Sequence, residues 1–240
     1  MTTATPRLKA RTAGAFYLLT IITGVFAEVF VRGAVLVRDD AAATAANVMA
    51  RETFYRSGLA ADLVMVVCYI IVTLLFYELF KPAGGSISLL AAFFSLVGLA
   101  VLAAGALNHL APVLFLGDPN YSRTFEATQL QAQALMSLKM HARGYVISGV
   151  FFGSYMLLLG YLIFRSGFLP RILGWLMAAG GLSFLANSFA SLLSPALVAR
   201  LPDIGMLGGI AELALSLWLI VMGVNAQRWE EKAGRVRIAR

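Results

Sequence analysis

Six uninterrupted apolar stretches, at about residues 13–36, 57–80, 87–113, 144–164, 172–195 and 205–226, leave this chain few ways to fold. A run of about 18 or more apolar residues is long enough to cross a hydrocarbon core about 30 Å thick as an α-helix. A helix also satisfies its backbone polar groups within the segment, as lipid requires. The expected fold class is therefore all-α. It is a polytopic membrane helical bundle of six transmembrane helices, plus two short extracytoplasmic loop helices, in a single integral membrane domain over residues 1–240. Composition agrees: 60% of residues are hydrophobic and 13% charged, against about 25% charged in a soluble domain.

The linkers punctuate these stretches. Lys81-Pro82-Ala83-Gly84-Gly85-Ser86 and Arg165-Ser166-Gly167-Phe168-Leu169-Pro170-Arg171 predict tight hairpins, and Ser194-Pro195 predicts a turn. Between the first two spans, residues 41–56 are rich in alanine, follow Asp39-Asp40 as candidate N-caps, and predict a short interfacial helix. Residues 122–139 lack Gly and Pro and predict a helix running into the fourth span. The first apolar stretch is longer than the roughly 7–15 residues of a signal-peptide core, so it reads as a retained span.

Net charge is +7, but the basic residues flank spans and are not interleaved with aromatics, so nucleic acid is not an expected partner; the lipid bilayer is. With both termini cytoplasmic, eleven of the nineteen Lys and Arg fall on the inner side in short segments, in keeping with the positive-inside rule. The single cysteine, Cys68, lies within an apolar run and excludes a disulfide framework or a Cys-based metal site.

Counting depth at 1.5 Å per residue from each inner anchor puts Glu28 at ~25 Å, Asp62 at ~28 Å, and Asn187 and Glu212 at ~24 Å. Asn108 and His109 come out at ~33–35 Å and His141 at ~36 Å, in the outer third and its rim. The inner half carries hydroxyls such as Thr20 and Ser95, and its one ionisable group is Glu78, close to Lys81. Ionisable groups inside a bilayer are costly, so this layer marks a site or a polar clamp.

Glu212, Asp62, Glu28, His109 and His141 are the candidate catalytic residues; Arg32, Asn108, Asn187, Arg143 and Tyr145 are candidates for substrate binding. Glu28 and Arg32 stand at i,i+4 with the acid first, the favoured order for a helical ion pair. Glu212 has no basic partner within a turn and must find one on another helix or be protonated. The imidazoles and carboxylates offer enough N and O donors for a divalent metal. No H-E-x-x-H string supports that choice, and a metal-free acid/base pair is equally compatible. Phosphate loops and dinucleotide fingerprints are absent, so no nucleotide cofactor is indicated.

Several strings point to a family. Ala10-Arg11-Thr12-Ala13-Gly14 with Tyr17-Leu18 opens the chain, and Phe151-Phe152-Gly153 precedes Leu159-Gly160-Tyr161-Leu162. Then come Ser166-Gly167-Phe168-Leu169-Pro170-Arg171-Ile172-Leu173-Gly174, the most specific string, and Glu212 with Trp218. Together they resemble a bacterial multi-pass membrane family known as domain of unknown function 4386, over nearly the whole chain except the tail. The resemblance implies a one-domain protein of the bacterial inner membrane and assigns no activity, cofactor or catalytic residue.

Three functions are compatible with these residues. One is an outward-facing intramembrane pocket that binds a lipid-like or amphipathic small molecule, or acts on it by acid/base or metal-assisted chemistry. The second is a structural or accessory protein whose polar layer locks the helices. The third is a proton-coupled transporter, which the charge-free inner half disfavours.

Overall fold

The computed structural model describes residues 5–194 and 205–238. Among them every regular element is helical. Five helices are long and apolar enough to cross a membrane. They are α1 (Pro6–Val35), α3 (Glu52–Phe80), α4 (Gly85–Gly117), α6 (Ala127–Ser166) and α7 (Arg171–Leu193). Shorter elements are α2 (Ala41–Ala50), α5 (Pro119–Thr124), α8 (Met206–Val221) and α9 (Ala226–Ile238). Counting the bent pair α8–α9 as one span makes six candidates. Multi-pass membrane character rests on these lengths and hydropathies. The Pro195 half of the Ser194-Pro195 turn lies outside the described residues.

Local chemistry explains several boundaries. Asp40 caps α2, its carboxylate accepting from the Ala43 amide at 2.8 Å. Asp39, at φ 59°, ends the preceding turn, and its side chain pairs with Lys139 at 3.0 Å. The interfacial helix predicted over 41–56 stops earlier, at Arg51 (φ −127°, ψ 37°), because the chain turns there to begin the long α3. The helix expected over 122–139 is likewise divided between α5 and the start of α6.

The sixth stretch departs most from expectation. It ends at Val221, and the chain bends by 99° into α9. Gly223, at φ 65°, supplies the left-handed residue that closes a helix C-terminus, its amide bonding to the Trp218 carbonyl. Asn225 then caps α9 through Arg228 N at 3.0 Å.

The residues group into two compact units. The first comprises residues up to Ile21, Cys68–Leu99 and Val146 onward; the second comprises Ile22–Val67 and Ala100–Tyr145. In the first, α6 and α7 meet through glycines at matched seven-residue spacing. A Cβ on Gly160 would lie 2.7 Å from the Gly174 carbonyl oxygen, and one on Gly181 would lie 2.6 Å from that of Gly153. Small residues that let backbones touch are the usual cement of membrane helices, since lipid gives no hydrophobic drive between them. The second unit has an apolar core of Val31, Val35, Val48, Tyr55, Val113 and Leu138. It also holds a buried polar centre.

Candidate functional site

The polar centre of the second unit is built around Arg32. Residues Phe26–Arg32 of α1 form a π-helix, and the Gly33 amide reaches back five residues to the Glu28 carbonyl. Such wide turns are rare and concentrate at functional sites. Arg32 is the last residue of this turn and is almost wholly buried, its side chain 6% exposed. Its Nε donates to Glu28 Oε2 at 2.6 Å, the i,i+4 pair expected from spacing.

The rest of the guanidinium is spent on three other helices. Nη1 donates to Asp62 Oδ2 at 2.6 Å and Nη2 to Asp62 Oδ1 at 3.3 Å, a bidentate fork. Nη1 also lies 3.1 Å from His109 Nδ1, and Nη2 donates to the Tyr145 hydroxyl at 3.3 Å. Tyr145 in turn donates to Asp62 Oδ1 at 3.1 Å. Segments of α1, α3, α4 and α6 are thus joined by one network.

Donor chemistry fixes both imidazoles. A guanidinium can only donate, so His109 Nδ1 is an acceptor and its proton sits on Nε2, 3.1 Å from the Tyr55 carbonyl. Tyr55 stacks on the His109 ring at 4.3 Å between centroids and donates its hydroxyl to the His109 carbonyl at 2.5 Å. Gly58 keeps the approach open: a Cβ there would stand 2.7 Å from Val31 Cγ1 and 3.4 Å from His109 Cε1. His141 Nδ1 faces the Gly105 carbonyl at 2.9 Å and must donate to it, which leaves Nε2 as an acceptor when the ring is neutral. That nitrogen is buried without a hydrogen-bond partner, 3.8 Å from Asp62 Oδ2. His109 Nδ1 stands at the same 3.8 Å from that oxygen. One ligand atom each from Asp62, His109 and His141 therefore falls within a 4.8 Å group, all three residues being buried.

The structure divides the candidate residues. Asp62, His109, His141, Arg32 and Tyr145 come together, and Glu28 joins them through Arg32 with its carboxylate 55% exposed. Asn108 is half-buried beside His109 in sequence, and Arg143 is exposed. Glu212 and Asn187 belong to the other unit. There Glu212 Oε1 accepts from the hydroxyls of Tyr17 at 2.8 Å and Tyr69 at 3.0 Å. Sequence reasoning passed over Tyr55 and Gly58. The signal available was local: Gly58 stands four residues before Asp62, one turn away on the same face of α3, and Tyr55 a further turn back.

The family model described as Domain of unknown function (DUF4386) matches residues 12–223. The chain belongs to this family. The matched residues of this DUF4386 protein include the whole Arg32 centre and Glu212, and they end before α9. No curated protein and no solved structure matches the chain.

The DUF4386 chain has a second feature in the same unit as the Arg32 centre, an apolar cavity of about 340 Å³ lined by α2 residues such as Ala45 and Met49 and by Phe125 and Leu130. The Arg32 centre does not line it. The cluster itself is packed around the guanidinium.

Proposed function

We propose that this protein binds an amphipathic, lipid-like molecule at the Arg32 centre and acts on it by acid/base chemistry, assisted by a divalent metal ion on Asp62, His109 and His141. One observation carries the proposal: the buried His141 Nε2 has no hydrogen-bond partner and stands 3.8 Å from Asp62 Oδ2, an oxygen that Arg32 Nη1 already holds at 2.6 Å. Two acceptors facing one another in a low-dielectric interior call for a proton or a cation to join them. Two histidines and one carboxylate, with positions left over, form an open ligand set for a transition metal. For donors spread over 4.8 Å to share one ion at about 2.0–2.2 Å, each would need to move by less than about 1 Å.

Arg32 Nη1 stands at 2.6 Å from Asp62 and 3.1 Å from His109, the side on which such an ion would sit. Metal entry therefore requires the guanidinium to withdraw, and Glu28, bonded to Nε, holds it on the exposed side as it does so. Val29 and Phe30, each 61% exposed, follow Glu28 in the chain. A polar head approaching there meets a charge beside exposed apolar side chains, an arrangement that suits an amphipathic ligand. On this reading Asp62 and the imidazoles hold the ion or exchange protons, while Arg32 and Tyr145 position an anionic oxygen of the ligand. The same reading takes the chain as one domain of a bacterial inner membrane with both termini cytoplasmic, supported by the basic density of the inner segments.

The test is elemental analysis of the purified full-length protein after equilibration with zinc or manganese and removal of unbound ion. The wild type is expected to retain about one ion per chain, and His141→Ala close to none, with equal helicity by circular dichroism. Equal, near-zero metal in both proteins would overturn the metal assignment.

A different observation favours a purely structural role: Arg32 bonds to four side chains on four helical segments, a complete clamp as it stands. In that case His141→Ala leaves metal content unchanged and lowers only the melting temperature.

A further inference from the structure

The first unit holds a cavity of about 920 Å³ between the 81–85 turn, the 165–167 turn and α9. Five cations line it (Lys81, Arg165, Arg228, Lys232 and Arg235) against two carboxylates, Glu78 and Glu231. Part of this charge has structural work. Lys232 donates to the Arg165 and Ser166 carbonyls, and Arg228 donates to the Gly167 carbonyl at 3.1 Å. Trp229 Nε1 donates to the Leu79 carbonyl at 2.8 Å. These bonds satisfy carbonyls at the ends of α3 and α6, which no intrahelical amide can reach.

Subtracting these roles leaves an excess. Glu78 is committed to Lys9 at 2.5 Å, and Glu231 accepts from Gln227. Lys81 lies over the Tyr77 ring, Arg165 bonds the Tyr161 hydroxyl, and Arg235 is exposed. Arg165 and Arg235 both lie close enough to repel the Lys232 charge. Like charges gathered around an open hollow repel one another, and an anion seated among them relieves that repulsion. The setting says which kind. A helix bent 99° from the end of an apolar helix runs along the membrane surface when its predecessor crosses it. Tryptophan and basic residues on such a helix sit at headgroup level.

We propose that the cavity framed by Lys81, Arg165 and Arg235 is a binding site for the phosphate of an anionic phospholipid headgroup. It is independent of the Arg32 centre, shares no residue with it and needs no metal. Basic pockets beside transmembrane helices recognise such headgroups through charge and hydrogen bonding. A free phosphate offers the same chemistry without the acyl anchor.

The experiment is native mass spectrometry of the full chain released from detergent with added dioleoyl phosphatidylglycerol or dioleoyl phosphatidylcholine, and with inorganic phosphate as competitor. Preferential retention of phosphatidylglycerol is expected, with Lys81→Gln/Arg235→Gln lowering it about thirtyfold at roughly tenfold to each 1.4 kcal/mol. Neither residue makes a carbonyl cap, so circular dichroism and melting should stay at the wild-type level. Equal retention of the two lipids, or no loss in the double variant, would overturn the site. Displacement of the lipid by inorganic phosphate at equimolar concentration would overturn the lipid in favour of the free anion. Asp62 and His141 variants should leave retention unchanged.

Discussion

Two carboxylates in two units of this molecule are held by opposite means. Asp62 is clasped by a permanent cation through two oxygens and takes a third bond from Tyr145. Glu212 is held through one oxygen by two phenols, Tyr17 and Tyr69, and among the described residues it forms no ion pair. A carboxylate answered by a guanidinium is needed for its charge. One answered by hydroxyls is needed only as an acceptor, which an amide also supplies. The first is part of a centre with an unsatisfied nitrogen beside it; the second closes an aromatic core in which Tyr17 and Tyr69 stand edge-to-face at 5.5 Å.

The contrast can be broken by substitution. Asp62→Ala, which strands a buried guanidinium, should cost about 3–5 kcal/mol in thermal or denaturant unfolding. Glu212→Gln should stay within about 1 kcal/mol of wild type. Equal losses at both positions would end the distinction. A smaller effect sharpens the picture of the first unit: Gly160→Ala pushes a methyl group against the Gly174 backbone and should cost about 1–3 kcal/mol. Gly209→Ala, where a Cβ meets nothing within 4 Å, should be neutral or stabilise by up to about 1 kcal/mol. Tyr55→Phe, which removes one hydroxyl from the His109 carbonyl, should cost about 1 kcal/mol while leaving metal content intact.

Much of the helical order was legible in the residues because its causes are short-range. Apolar length marked the long helices, the Gly167 turn closes the 165–171 hairpin with φ 74°, and Asp40 caps α2 as its type suggests. The Glu28–Arg32 pair was legible for the same reason, since four residues separate neighbours on a helix face. Depth counting was weaker. It assigns a height along each helix and says nothing about the direction a side chain faces or about the partners it finds, which for Glu212 are Tyr17 and Tyr69. The π-turn at Phe26–Arg32 adds to this, because a single extra residue per turn rotates every later side chain of the helix by about 100°.

The sequence alone determined that this chain is a multi-pass helical membrane protein, where its long helices run, and that Glu28 and Arg32 are partners. These rest on hydrophobic length and on neighbours one turn apart. Only the tertiary structure decided that Arg32 reaches Asp62, His109 and Tyr145, that His141 keeps an unpaired nitrogen, and that the last apolar stretch ends in a 99° bend into a basic helix. Those outcomes depend on how helices rotate and pack across 30 to 113 residues of chain, and no local pattern encodes that rotation.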